Sequence, residues 1–245
     1  TVVPSTPILA STLSAGSVGS VNFGPEDILV WDGSDWSIWF DGSEAGQMSK
    51  GKAVHNTNAF ATPDPNDDDV IMTFAHNKRR VPGIAAPVEG MDLVRWDGAA
   101  FSLYFDGSDV GLKSMTQEKI DALHILPGVA SPINGGNCLA YLLISTQGPG
   151  KVNNHSGGVM RIGGEDVLGF CMTSSGENTA GLWHMVLDGS AEGMPPNSLV
   201  NLSASDDGQV LYLTTRRNFN VDAASGGHSM VYRFDRGTGL FSGPF

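Results

Sequence analysis

The sequence predicts an all-β protein, a four-bladed β-propeller of four-stranded antiparallel blades, and three observations carry that expectation. One segment is written three times. Glu26-Asp27-Ile28-Leu29-Val30-Trp31-Asp32-Gly33 followed by Trp36 to Ser43 returns as Met91-Asp92-Leu93-Val94-Arg95-Trp96-Asp97-Gly98 followed by Phe101 to Ser108. It returns again, more loosely, from Glu165-Asp166-Val167-Leu168 to Trp183-His184-Met185-Val186-Leu187-Asp188-Gly189-Ser190. Second, short apolar runs closing on Ser11, Thr73, Ser145 and Thr214 recur at intervals of about 60–70 residues. Third, no stretch has the length and apolar spacing of a stable helix, and glycine, 32 of 245 residues, interrupts every candidate. A unit copied along a chain is one supersecondary block packed on its neighbours, so the copy number sets the fold.

Each unit reads as four strands in order. An inner strand comes first, around Asn58-Ala59-Phe60, Ile120-Asp121-Ala122-Leu123 and Leu199-Val200-Asn201-Leu202. The run ending in Ser or Thr is the second, the Asp-Leu-Val-Trp segment the third and the Ser-Leu-Tyr-Phe segment the outermost. All are rich in β-branched and aromatic residues and bounded by Gly, Pro, Asn or Asp, as short strands between tight turns should be. Met230 to Asp235 and Gly239 to Ser242 supply the third and fourth strands of the last unit. Approximate blades are 1–45, 55–110, 118–192 and 198–245, within one domain. Radial repetition leaves few exposed sheet edges. The alternative is part of a larger propeller, because Thr1-Val2-Val3-Pro4 is short and proline-marked for an inner strand.

Lys and Arg number 14 against 26 Asp and Glu, a net charge of −12. Such a chain lacks the cations that release counterions from phosphates, which argues against nucleic acid and against anionic membrane surfaces as partners. No apolar run approaches the 18 or so residues of a membrane span, so no membrane insertion is expected. Cys138 and Cys171 are read on neighbouring units, on the second strand of one and the third strand of the next; a disulfide between them is geometrically conceivable, with two buried thiols as the default reading.

The regular polar feature is Asp-Gly-Ser at Asp41, Asp106 and Asp188. Its carboxylate is expected to accept the following backbone amides and fix a turn. The alternative groups these with Asp27, Asp92 and Asp166 around calcium. Asp64, Asp67 and Asp68 form a weaker calcium cluster without the glycine and distal glutamate of an EF-hand loop, and a solvated turn is the plainer reading. No other cofactor is expected.

In an up-and-down blade, the loops between second and third strands share a face with the connections between blades. Loops 75–90, 146–164 and 215–227 there carry Lys78, Arg79, Arg80, Lys151, Arg161, Arg216 and Arg217, half of the basic residues. His55, His76, His155 and His228 map to the same rim, without zinc-motif spacing. Long loops on a rigid scaffold are where binding residues reside. Lys78, Arg79, Arg80, Lys151, His155, Arg216, Arg217 and His228 are therefore the candidate partner-binding residues, against local charge neutralisation by Glu26, Glu89 and Glu165. Aromatics at period two are expected to fill the space between blades, with Trp36 and Phe101 the exposed exceptions. His124 and His184 belong within strands. Asn154-His155-Ser156 and Asn201-Leu202-Ser203 fit the glycosylation pattern, the second expected to be inaccessible. No nucleophile elbow, phosphate loop or dinucleotide fingerprint is present, so no catalytic residue is assigned.

Ile120-Asp121-Ala122-Leu123-His124-Ile125-Leu126 and Phe101 to Leu112 are similar to a repeat of large secreted or surface-anchored bacterial proteins, and the resemblance extends over nearly the whole chain. It implies an extracytoplasmic β-repeat domain without an assigned activity and transfers no catalytic residue. The expectation is thus an extracellular or cell-surface module, its signal peptide removed, acting by adhesion or self-assembly through its loop faces. Its partners would be other copies of itself, surface glycans or surface proteins. The alternative is a carbohydrate-binding module or glycan-active enzyme with its site on the basic rim.

Overall fold

The computed structural model describes residues 8–46, 48–49, 52–53, 56–63, 69–76, 78–127, 135–228 and 230–245. Among these there is no helix; four antiparallel sheets form a four-bladed β-propeller. Blade one holds Ile8–Ser11, Ile28–Trp31 and Trp36–Phe40. Blade two holds Thr57–Ala61, Asp69–Phe74, Leu93–Asp97 and Phe101–Phe105. Ile120–Pro127, Ala140–Thr146, Val167–Ser174 and Ala180–Leu187 make blade three. Leu199–Ala204, Val210–Thr215, Val231–Asp235 and Leu240–Ser242 make blade four. The calcium candidates Asp64, Asp67 and Asp68, as well as His55 and Thr1 to Pro4, lie outside the described residues.

The predicted long loops are built as β-hairpins. Blades two to four carry one between their second and third strands, and blade one carries one between the first two of its three described strands, on the face shared with the interblade connections. They are Gly16–Val18 with Val21–Phe23, Lys78–Arg79 with Val88–Glu89, Gly150–Asn153 with Val159–Ile162, and Phe219–Val221 with Ala224–Gly226. The opposite face has tighter turns. Asp32 Oδ1 accepts the N–H of Ser34 and Asp35 at 2.7 and 2.9 Å, and Asp97 Oδ1 those of Ala99 and Ala100 at 3.0 and 2.9 Å. Gly33 and Gly98 supply the positive φ, 102° and 88°, that a side chain would resist there.

Three apolar seams join the blades. Ile28 and Phe40 of blade one pack with Met72, Val94 and Phe101 of blade two. Leu93 and Phe105 of blade two meet Leu142, Phe170 and Trp183 of blade three, and Leu143 and Leu187 of blade three meet Leu199, Leu213 and Tyr232 of blade four. Aromatic rings do fill the space between blades, as Phe40 on Trp96 and Phe105 on Phe170 illustrate, with centroids 6.2 and 5.3 Å apart. Two expected exceptions are corrected. Phe101 is buried against Trp96 at 4.7 Å, and Trp36 is half-buried against Trp31. The outer strand bulges at Trp39, Tyr104 and Val186 in three blades, so alternation along it does not run straight through to its first residue.

Cys138 and Cys171 form a disulfide, which corrects the default of two buried thiols. Register explains it: Leu139 N–H donates to Met172 C=O at 2.7 Å, bringing the two Cα atoms to 5.2 Å, inside the range a disulfide needs.

The Asp-Gly-Ser turns hold the hairpin face together. Asp41 Oδ1 accepts Ser43 N–H and Oγ–H, and Asp106 Oδ1 does the same from Ser108. A second aspartate, two residues into each repeated unit, ties that turn to the start of the third strand. Asp27 accepts from Gly24 and Gly42, Asp92 from Glu89 and Gly107, and Asp166 from Gly163 and Gly189, all at 2.7–3.0 Å. Each of these three uses one oxygen per amide. Glycine is required at Gly107 because a Cβ there would run into the Met91 carbonyl. Both oxygens of Asp27, Asp92 and Asp166 are thus engaged by backbone, and among the described residues no three His, Cys, Asp or Glu side chains converge.

Asp92 is 6% exposed, and burial raises its pKa from the usual carboxylate range to about 7 against the opposing pull of its two amides. The folded state therefore keeps a proton between about pH 4 and 7 that the unfolded chain releases, and the stability Asp92 contributes falls as pH rises through that window. Asp92→Ala is expected to cost about 2–3 kcal/mol at pH 5, since two amides lose their acceptor. Urea titrations should show a smaller difference from wild type at pH 8. A difference that grows with pH would mean that the amides outweigh burial.

Candidate functional site

The inner strands of three blades share one irregularity near their first residue. Thr57 pairs with Phe74 but Ala59 with Thr73, leaving Asn58 as an extra residue; Asp121 and Val200 are extra in the same way. A bulge breaks the in-out alternation and re-aims the side chain at its apex. Here all three bulged residues line one cavity at the axial mouth on the hairpin face. Its volume is about 600 Å³, and every blade contributes: Leu13 from blade one, Asn58 from two, Asp121 from three and Arg216 from four.

Asp121 is 6% exposed. Its Oδ2 accepts Arg216 Nη2–H at 3.0 Å, while its Oδ1 is buried without a hydrogen-bond partner. Burial pushes its pKa up to about 7, and the Arg216 guanidinium opposes that shift. Around it the polar groups are held in place. Asn58 Nδ2–H donates to Ile120 C=O at 2.7 Å, Lys119 Nζ–H to Ala75 C=O at 3.0 Å and Asn201 Nδ2–H to Thr214 Oγ1 at 2.9 Å. Asn201 lies in its strand as predicted, yet it is exposed at this mouth, which corrects the expectation that it is inaccessible. The bulge one residue earlier is what turns it outward.

A second hollow of about 440 Å³ shares Ala75 and Lys119 with the first and continues to Lys78 and Arg79. The predicted rim residues therefore divide. Arg216 and His228 line the axial cavity, and Lys78 and Arg79 line its extension. Lys78 pairs with Glu89 at 3.0 Å, an exposed contact of the kind that contributes little. Arg80 and Arg217 are exposed on the same rim. Lys151 and His155 sit elsewhere. Their hairpin folds over the outer strand of blade three, where His155 N–H donates to Trp183 C=O at 3.0 Å.

Asp121 and Asn58 escaped the sequence reading as site residues because each looked like part of an inner strand, and Lys119, just before one, was not singled out. A signal existed in two of the three copies: Asn58 and Asp121 are polar at the position of the repeat that Val200 occupies in the last blade. His124 and His184 lie within strands as expected. His184 Nε2 meets Tyr141 Oη at 2.6 Å, and burial lowers its pKa to about 4, which keeps the ring neutral.

No protein-family model matches the chain, and no curated protein matches it.

Proposed function

We propose that the protein is a non-catalytic interaction module of the cell surface or extracellular space that binds through its hairpin face. One observation carries the reading: all four blades place side chains at a single axial mouth, where a buried carboxylate stands beside cations in a protein of net charge −12. Rigid strands position these groups at the mouth. The experiment compares wild type with Arg79→Glu and Arg216→Glu on a glycan array, with and without calcium, and by sedimentation at high concentration. Loss of glycan capture or of self-association in the variants is the expected result. A face that binds nothing in wild type, or binding that both variants leave untouched, would end the proposal.

Self-assembly is the second reading, favoured by exposed apolar side chains on the flanks of blades one and four. Ile8, Tyr212 and Leu240 are 50%, 41% and 56% exposed. Among the described residues no apolar cluster joins those two blades. Oligomers that survive Arg216→Glu but dissolve on Tyr212→Lys would place association on that flank instead.

A further inference from the structure

We propose that the axial mouth and its extension bind a carboxylated oligosaccharide, with one sugar ring seated on Asp121 and Arg216 and its acidic neighbours running outward along Lys119, Lys78 and Arg79. The inference rests on the hairpin face being a binding surface and names its ligand class.

The mouth asks for a hydroxyl. Asp121 Oδ1 is a buried acceptor without a donor, and a buried polar atom left unpaired is costly. Arg216 stands 3.0 Å from the other carboxylate oxygen and is 43% exposed, so its remaining N–H groups are open to a ligand. An acceptor and a donor set side by side match two neighbouring hydroxyls of a sugar, one donating to Asp121 and the other accepting from Arg216. Asn58 and Asn201 line the same cavity, each with a nitrogen hydrogen on a fixed protein acceptor.

Charge then selects among sugars. From Arg216 outward the linings carry Lys119, Lys78 and Arg79, and the two hollows are neighbours with Lys119 and Ala75 in both linings. Volumes of about 600 and 440 Å³ suit a chain of several rings better than a single small molecule. Among the described residues lining the axial cavity there is no Trp, Tyr or Phe, so the stacking platform on which neutral sugars usually depend is missing. A polyphosphate such as nucleic acid fits less well. Four cations, two of them paired, Lys78 with Glu89 and Arg216 with Asp121, face a strongly acidic remainder. Carboxylates spaced one per ring meet cations spaced along a groove without needing a dense positive surface.

Calorimetry on the intact chain tests this with tetrasaccharides of galacturonic, mannuronic and guluronic acid, each compared with its methyl ester, which keeps the hydroxyls and loses the charge. Expected is binding of at least one acid form, ten-fold or more tighter than its ester and weakening with salt. Arg79→Gln, on the exposed extension and remote from any core, should weaken the acid form several-fold and reduce the salt dependence. Asp121→Asn, nearly isosteric, should weaken the acid and the ester alike, because it alters the hydroxyl contact rather than the charge track. Equal affinity for acid and ester, or no effect of Arg79→Gln, overturns the proposal. If Arg216→Glu abolishes capture of other glycans or self-association while no uronate binds wild type, the ligand class is wrong and the binding face stands. If Arg216→Glu changes no association at all, the face itself has failed.

Discussion

Trp183→Ala is expected to lower stability by about 3–5 kcal/mol, the range for removing a large buried aromatic side chain. The indole is 2% exposed, on the outer strand of blade three, with its ring 4.5 Å from Phe170 and 6.2 Å from Phe105 of blade two. Its Nε1–H donates to Val110 C=O at 2.8 Å, so one side chain both fills the seam between two blades and satisfies a carbonyl across it. Alanine removes the packing and leaves that acceptor without its donor. Flanking rings cannot close the gap, because Phe105 and Phe170 are already held edge to face at 5.3 Å. At about 2–4 °C per kcal/mol for a chain of this size, the melting temperature should fall by roughly 6–20 °C. Trp183→Phe retains part of the ring volume without the hydrogen bond and should cost less than half as much. Trp36→Ala, at a half-buried position touching Trp31, is the control and should cost about 1 kcal/mol. Calorimetric melts of the three variants decide the matter. A Trp183→Ala change no larger than that of Trp36→Ala would show that the seam between blades two and three does not hold the ring together.

The second large effect concerns the disulfide. Cys138 and Cys171 are separated by 33 positions in sequence, and restricting the unfolded chain over such a loop is worth about 3–4 kcal/mol in the chain-entropy account. Both sulfurs lie in the seam between blades three and four, among Leu143, Leu187 and Tyr232, so the reduced pair would remain packed as small apolar groups. Cys138→Ala/Cys171→Ala is therefore expected to fold into the same propeller and to unfold at a lower temperature, by about 6–15 °C. A reductant should reproduce the shift in wild type and leave the double variant unmoved. Thiol alkylation of the unfolded, unreduced protein gives the complementary reading: no cysteine should label. Labelling of both, or a reductant without effect on the melt, would show that the bond does not form in solution.

Particular residues show how far the sequence was legible. The three copies of the Trp-Asp-Gly segment placed the third and outer strands of three blades within a residue or two. They did so because an aspartate that caps a turn and a glycine that takes a positive φ have few substitutes. Phe101 was misjudged. Whether the first residue of an outer strand meets solvent depends on how the next blade leans on it, and here Trp96 covers the ring. The disulfide was equally out of reach, since spacing does not report that the Leu139 amide sets the register of its strand on Met172. Of the candidate rim, Arg216, His228, Lys78 and Arg79, chosen from loop position, lie at the axial cavity and the hollow beside it. Lys151 and His155 were grouped with them by the same logic, although their hairpin turns away toward the outside of blade three.

Local chemistry was enough to determine that the chain is built of repeated β units joined at turn-capping aspartates, because strand propensity, turn residues and repetition are each properties of short segments. Only the folded ring decided what those units make together. A bulge is a relation between paired strands, and the axial mouth is a relation among four blades. Asp121 acquires its unpaired oxygen, its guanidinium neighbour and its raised pKa from residues nearly a hundred positions away and from the water the ring excludes.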